Sequence, residues 1–151
     1  MKQLILAISF IAFSSLSAQN WKQSDFVGIW RTYDEKTGEA NGKVELYLSE
    51  GSIVAKVLDG PLVYKADGSK AKDLKNPDEK LRSRTIYHMN FLYGFQWDAE
   101  NKKWIKGRVY DSRSGNTYSA KLELLDRNKI KLTGYMGITL FGKSVNWTRI
   151  K

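Results

Sequence analysis

The feature that most constrains this chain is a succession of short runs in which apolar and polar residues alternate, separated by turn residues. In "KVELYLS", residues 43–49, the apolar Val44, Leu46 and Leu48 fall on one face of a strand. "TYSAKLELL" and "KIKLTGYM" repeat the pattern, and eight such runs follow one another along the chain. An eight-stranded antiparallel up-and-down barrel accommodates this order best, because a closed sheet has no unpaired edge. An open sandwich is the alternative.

The first 18 residues have the pattern of a signal peptide. Lys2 precedes the apolar run "LILAISFIAF", and "SSLSA" supplies the small residues that precede cleavage, here after Ala18. The apolar run is too short to cross a bilayer comfortably, and no second one follows. We therefore expect one mature domain, residues 19–151, in the periplasm or the medium, and not an integral membrane protein.

Composition excludes several kinds of site. The chain has no cysteine, so it forms no disulfide, zinc-thiolate site or cysteine nucleophile. The only histidine, His88, lies in a different segment from Ser112 and Ser114, so the sequence favours neither a catalytic triad nor a histidine metal site. The formal net charge of +9 suits an anionic envelope component as partner, although solubility alone explains it as well.

Aromatic residues dominate the fourth run, "NFLYGFQW". Phe91, Tyr93, Phe95 and Trp97 recur at strand spacing, which predicts one stripe on one face. Core packing is the favoured interpretation. An eight-stranded barrel is either filled or able to hold one small ligand, however, and Tyr93 and Trp97 carry polar groups that could line such a cavity.

A long segment, residues 60–89, interrupts the strands between the third and fourth runs and predicts a lid or binding loop. Asn76 as N-cap and Pro77 at the first position predict a short helix from 77 to about 82 across one mouth of the barrel. Arg82 and Arg84 would then lie near the rim and could bind a carboxylate or phosphate. Pairing with Asp111 or Asp78, which would pin the lid, is the interpretation we favour.

The stretch "GRVYDSRSGNTYSAKLELL", residues 107–125, has a polar centre that predicts a hairpin turn. Asp111 and Ser114 can accept backbone N–H bonds, and Gly115 supplies a positive φ. Tyr110, Asp111 and Tyr118 would sit at one barrel end, where they could also address a polar group of a ligand.

Enzymatic interpretations of this stretch are weaker. Ser112 or Ser114 lacks a neighbouring base, and nothing in the spacing selects a second carboxylate to work with Asp111. We predict no catalytic residue, cofactor or metal, and a hydrolase is a remote alternative.

Two ends of the chain resemble the calycin pattern of lipocalins and their relatives. The first run contains "GIW" and the last contains "WTR". The resemblance implies that Trp30, after Gly28, packs beneath Arg149, which follows Trp147, and that this contact closes the barrel. A guanidinium stacked on an indole is a favourable cation–π pair.

Nearly the whole mature chain also resembles the bacterial domain of unknown function family 2147. The matching stretches are "VGIWRT", "KNPDEKLRSR", "KGRVYDSRSGNTYSAKLEL" and "LTGYMGITLFGKSVNWTR". The chain departs from the family pattern at Ser112, where many members have proline, and lacks the cysteines that some members carry. The resemblance implies export and this fold, and it leaves the activity open.

Three functions remain in consideration. The first is a non-enzymatic binding protein that holds a small apolar or amphipathic molecule in the barrel or at its mouth. The second is an envelope interaction module with a filled barrel, which would bind an anionic polymer, a membrane surface or a protein. The third is nucleic-acid binding, which eight strands and export both disfavour.

Overall fold

The computed structural model describes residues 19–34, 36–135 and 143–151. The predicted signal peptide, residues 1–18, and the "MGITLFG" part of the family pattern, residues 136–142, lie outside the described residues. The described residues form nine strands: β1 Gly28–Tyr33, β2 Ala40–Ser49, β3 Ser52–Asp59, β4 Asn90–Tyr93, β5 Gln96–Asp98, β6 Lys103–Asp111, β7 Asn116–Asp126, β8 Lys129–Tyr135 and β9 Lys143–Arg149. Two 3-10 turns, Gln23–Phe26 and Glu79–Leu81, accompany them.

The strands close into one antiparallel barrel. β1 pairs with β2, β2 with β3, β3 with β4, and β6 through β9 pair in succession, while β9 returns to β1. β4 and β5 both pair with β6, so together they occupy the place of one interrupted strand. The predicted eight-stranded up-and-down barrel is confirmed.

The interruption of the fourth predicted strand lies at Gly94. Its φ of +72° is in the left-handed region, which resets the alternation of side chains. Phe95 is buried after this break. Before it, a register shift in the β3–β4 ladder between Asn90 and Leu92 leaves Leu92 buried and Tyr93 41% exposed, opposite Arg108. The prediction of a single four-aromatic stripe was wrong, because it assumed an unbroken strand.

The two ends of the barrel differ. The closed end carries the Gln23–Phe26 turn, the β2–β3, β5–β6 and β7–β8 turns and the C-terminus. The lid end carries the β1–β2 and β6–β7 turns and the segment between β3 and β4. Phe26, Trp30 and Trp104 are fully buried near the closed end, and Trp97 packs edge-on against Phe26 and Trp104, with ring centroids 5.8 and 5.1 Å away.

Arg149 seals the closed end over Trp30. Its guanidinium carbon lies 4.2 Å from the Trp30 ring centroid, and its Nη1 donates to the Val27 carbonyl oxygen at 2.7 Å. The side chain also donates to the carbonyl oxygens of Asp25 and Arg127. The contact implied by the calycin pattern is thus present, while Trp147 is buried in the core apart from this stack.

Residues 60–89, which we call the lid, form three short backbone passes rather than a helical crossing. The Ala71 N–H donates to the Val63 carbonyl at 2.8 Å, and the Ile86 N–H donates to the Ala71 carbonyl at 2.9 Å. Val63, Ile86 and Met89 are buried in a second apolar cluster with Tyr110 of β6. The lid is therefore packed onto the barrel with a small core of its own.

The predicted helix from 77 to about 82 is instead the 3-10 turn Glu79–Leu81, capped by Asp78. Asn76 Oδ1 accepts from the Asp78 N–H at 2.9 Å, as predicted for a cap, while the Asn76 amide nitrogen donates to the buried Asp73 carboxylate at 2.8 Å. The chain must also return at once, since the Asp73 N–H donates to the Arg84 carbonyl at 3.0 Å. Because both Asn76 and Arg84 are bonded to Asp73, the segment between them is limited to a single tight turn.

Candidate functional site

The inner surface of the barrel changes character toward the lid end. On the inward face of β7, Ala120, Leu122 and Leu124 are buried, whereas Tyr118 is half-buried. Val109 lies opposite Tyr118 in the ladder and is also half-buried. We call the half-buried inner residues at this end the lid-end lining: Phe91, Val109, Tyr118 and Val145. At the closed end, Phe26, Trp30 and Trp104 are fully buried with Trp97 half-buried against the core, and the lid-end lining is a second part of the interior with accessible surface.

Phe91 joins the lining to the lid. It packs against the barrel core and against the cluster under the lid. Its ring centroid lies 6.2 Å from that of the buried Trp147. A molecule that contacts Phe91 would therefore touch the surface on which both clusters meet.

A buried carboxylate fixes the lid to the barrel. Asp73 is 0% exposed, and its Oδ1 accepts from the Tyr110 hydroxyl at 2.6 Å. Its Oδ2 accepts from the Asn76 amide at 2.8 Å and from the Arg84 guanidinium at 2.9 and 3.0 Å. Because a buried charge is tolerated only when it is paired and hydrogen-bonded, these partners are what permit Asp73 to lie inside.

Tyr110 is the barrel's contribution to this network. It is 7% exposed, and it neighbours Val109 on β6, so it faces away from the barrel interior and under the lid. Burial raises the pKa of Tyr110 to about 12, and the hydrogen bond to Asp73 adds to that effect. The phenol therefore remains a neutral donor at neutral pH.

The β6–β7 hairpin supports the lid from the side. The Asp111 carboxylate accepts from the Arg113 N–H at 3.0 Å, and Ser114 Oγ accepts from the Asn116 N–H at 3.3 Å. Gly115 has a φ of +77°, and a Cβ there would collide with the carbonyl oxygen of Lys75 in the lid. The predicted turn chemistry is confirmed, and Gly115 has a second role as the point where the lid approaches.

The Asp111 carboxyl is held ionised by its own turn. Partial burial acts to raise its pKa, but hydrogen bonds from the Arg113 side chain and backbone outweigh that effect and hold the pKa of Asp111 below its ordinary value. The hydroxyl of Ser114 also donates to this carboxylate at 3.2 Å. Asp111 thus acts within the hairpin.

The two predicted rim arginines bind groups of the lid. Arg82 Nε donates to the Asn76 carbonyl at 2.8 Å, and Arg84 pairs with Asp73. The predicted pairs with Asp111 or Asp78 are absent from the described residues, and both contacts lie within the lid. Only Arg84 takes part in the network that joins the lid to the barrel, through Asp73 and Tyr110.

The predicted site residues therefore do not form one cluster. Arg84 and Tyr110 meet at Asp73, and Asp111 lies beside them on the hairpin. Tyr118 alone belongs to the lid-end lining. Tyr93 faces outward on β4, and Trp97 packs at the closed end, where it contacts Phe26 and Trp104.

Sequence reasoning missed three participants. Asp73 carries no local signal, because its partner Tyr110 lies 37 positions away. Val109 and Val145 could have been found by extending the alternation of β6 and β9 from the buried Trp104 and Trp147, provided that the shift in the β6–β7 register between Trp104 and Gly107 were known.

Within residues 19–34, 36–135 and 143–151, no group of three histidine, aspartate or glutamate side chains is placed to hold a metal ion. His88 is exposed and stacked on Tyr87, with ring centroids 3.9 Å apart. In the same part of the chain, no helix has the length and apolar character needed to cross a membrane.

Comparisons with known proteins agree with this architecture. Protein HP1028 from the human pathogen Helicobacter pylori, which is described as belonging to the lipocalin family, has a solved structure with a TM-score of 0.67 to this chain. The two are 25% identical, and the alignment covers 83% of this chain and 82% of that chain. The lipocalin-like resemblance is confirmed, and such a barrel is a small-ligand binding fold.

The search of the curated proteins found no match. The sequence model of the DUF2147 family, described as "Uncharacterized protein conserved in bacteria", matches residues 28–149. This chain therefore belongs to the DUF2147 family.

Proposed function

We propose that this protein is an exported, non-enzymatic binding protein that holds a small apolar or amphipathic molecule against the lid-end lining. The observation that carries the proposal is the set of half-buried inner side chains at the lid end, which contrasts with the fully buried Phe26, Trp30 and Trp104 near the closed end. The signal-peptide pattern of residues 1–18 supports export.

The lining favours a ligand with a long apolar part and one polar group. Phe91, Val109 and Val145 offer aromatic and aliphatic surface. The phenol of Tyr118 has no hydrogen-bond partner among the residues that the structure describes, so it is available to a carboxylate or hydroxyl of the ligand. The remaining affinity would come from apolar burial, at about 25 cal/mol per Å² of surface removed from water.

The first experiment is detergent-free purification from the exporting cells, followed by native mass spectrometry and identification of any small molecule released. The second is titration with a fluorescent fatty acid. Val109→Trp should fill the lining and weaken fatty-acid binding at least about tenfold, which corresponds to a loss of roughly 1.4 kcal/mol.

A matched variant separates this effect from a general one. Val54 is also half-buried in a strand, but it lies on the outer face of β3, opposite Tyr47. Val54→Trp should leave the affinity unchanged. Equal binding by wild type and Val109→Trp would overturn the proposed site, and the absence of both a co-purified molecule and fatty-acid binding would refute the proposed ligand class.

A further inference from the structure

The lid has an outer face that is distinct from the face packed on the barrel. Val63 and Ile86 are buried beneath it and Ala71 is partly buried, so their chain neighbours point outward in the three paired passes. We define the outer lid face by the residues that this alternation places there: Leu62, Tyr64, Lys70, Lys72, Leu74 and Tyr87.

Side-chain contacts join three residues of the outer lid face, one from each pass. The Tyr64 and Tyr87 ring centroids lie 6.4 Å apart, and Lys70 Nζ lies 4.0 Å from the Tyr87 ring centroid. Tyr64 and Lys70 also face each other across an isolated β-bridge. Residues from all three passes thus meet on one surface.

This face exposes large apolar side chains. Leu74 is 67% exposed, Tyr64 45% and Leu62 39%, and Leu74 is the most exposed large apolar residue in the described part of the chain. Leu81, in the neighbouring 3-10 turn, is 38% exposed. A concentration of such residues on one surface is typical of a site that contacts a partner or a membrane.

The same segment is basic. The lid contains five lysines and two arginines against four carboxylates. Asp73 is buried on Arg84, and Glu79 pairs with Arg82. Within the described residues, none of the lid lysines takes part in an ion pair, so their charge remains available to an external anion. They are Lys65, Lys70, Lys72, Lys75 and Lys80.

We propose that the outer lid face docks on the surface of an anionic lipid bilayer. Leu74 and Leu62 would enter the boundary between headgroups and acyl chains, where tyrosine rings such as Tyr64 are also favoured. Lysine side chains extend past apolar neighbours and place their charge among anionic headgroups. A charged polymer would satisfy the lysines, but it would give Leu74 no apolar surroundings. The proposal does not depend on whether the barrel holds a ligand.

The test is co-sedimentation with vesicles. The protein is expressed from the full chain, and mass spectrometry identifies its N-terminus so that all variants are compared in one processed form. Vesicles contain either phosphatidylglycerol and phosphatidylcholine in equal amounts or phosphatidylcholine alone. Binding should require phosphatidylglycerol and weaken as salt is raised, because salt screens the attraction.

Two lid variants separate the apolar and the ionic contributions. Leu74→Ser should weaken binding roughly five- to tenfold, from the loss of one partly inserted leucine. The double variant Lys70→Glu, Lys72→Glu should weaken binding by about 30-fold or more, at roughly a factor of five per lysine near the surface.

Matched controls lie at the closed end. Leu125→Ser removes a leucine that is 43% exposed there. The double variant Lys129→Glu, Lys151→Glu changes the net charge as much as the lid pair does. Both controls should bind as the wild type does, and thermal melting should show that every variant is folded.

The outcomes are distinct. Loss of binding in both lid variants, with both controls unaffected, supports docking. A different result would identify a polymer site and overturn the proposal: vesicle binding that is unchanged in Leu74→Ser and lost in the double lysine variant, together with binding to a soluble polyanion such as heparin. Equal weakening by the closed-end charge control would mean general attraction to a basic protein, and no binding to either vesicle would refute docking outright.

Discussion

Replacement of Asp73 by alanine should unfasten the lid. The change would leave the buried Tyr110 hydroxyl and the buried Asn76 amide without their acceptor. At about 1–3 kcal/mol for each unsatisfied buried donor, the expected loss is about 3 kcal/mol of unfolding free energy. Arg84 adds less to the loss, because its side chain is 35% exposed and water can replace the carboxylate.

Urea denaturation measures this loss directly from the midpoint and slope of unfolding. Hydrogen exchange should locate it, because the amides of Ala71 and Ile86, which join the lid passes, should exchange faster while those of the barrel strands stay protected. Asp67→Ala is the matched control, since Asp67 is an exposed lid carboxylate that bonds only within its own turn to Ser69. It should change stability by less than about 0.5–1 kcal/mol.

The reasoning would be refuted if Asp73→Ala unfolded within about 0.5 kcal/mol of the wild type. Uniformly faster exchange throughout the barrel would also contradict it, because the network would then hold the whole fold and not the lid. An Asp73→Asn variant keeps the size and one acceptor, and it should lie between alanine and the wild type.

Three further changes test other parts of the structure. One of the eight tyrosines should titrate near pH 12 in the ultraviolet spectrum, and this titration should be absent from Tyr110→Phe. Because the pKa of Tyr110 is higher in the folded than in the unfolded protein, the stability that Tyr110 contributes is complete below about pH 10 and is lost as pH rises through 12. Gly115→Ala should cost at least about 1 kcal/mol more than Gly38→Ala in urea unfolding, because the two glycines have φ of +77° and +72° but only Gly115 meets the lid backbone; equal losses would argue against that contact. Arg149→Ala should lower the unfolding free energy by about 2–4 kcal/mol while leaving ligand affinity unchanged, since it uncovers Trp30 and leaves backbone carbonyls without donors; a wild-type melting temperature would refute the closure argument.

The strands of the barrel were predictable because alternation is a local property. "KVELYLS" and "TYSAKLELL" bury one face each, and this periodicity survives in β2 and β7. It failed in the fourth run, where a register shift between Asn90 and Leu92 left Tyr93 exposed and where the buried Phe95 follows the positive φ of Gly94. A glycine in a strand-like run indicates where the strand can break, but the sequence does not predict which side chains change face at the break.

The candidate site was less predictable because its contacts join distant positions. Asp73 and Tyr110 meet only after the barrel has brought β6 beneath the lid. The motif "NPDE" suggested a helix from local capping chemistry, and Asn76 does accept from the Asp78 N–H. Its bond to Asp73 and the return of Arg84 nevertheless limit the segment to one turn. Tertiary demands therefore overrode a sound local signal.

The lid packs on the barrel wall and also forms part of it. Beside its attachment at Asp73, its last residues continue the β3 ladder, because the Val57 N–H donates to the Met89 carbonyl at 3.0 Å and the His88 N–H donates to the Val57 carbonyl at 2.8 Å. These ladder bonds lie just before Phe91 in the chain, and breaking them would open the barrel wall. The part of the lid that can open without breaking the barrel is therefore the part held by Asp73. If a ligand leaves the lining past the lid, its dissociation rate constant should therefore be higher in Asp73→Ala. The largest increase that a loss of about 3 kcal/mol in lid stability permits is about 100-fold. Its association should accelerate as well if opening limits entry. Unchanged rate constants in a variant whose lid is shown to exchange freely would mean that the ligand does not pass the lid.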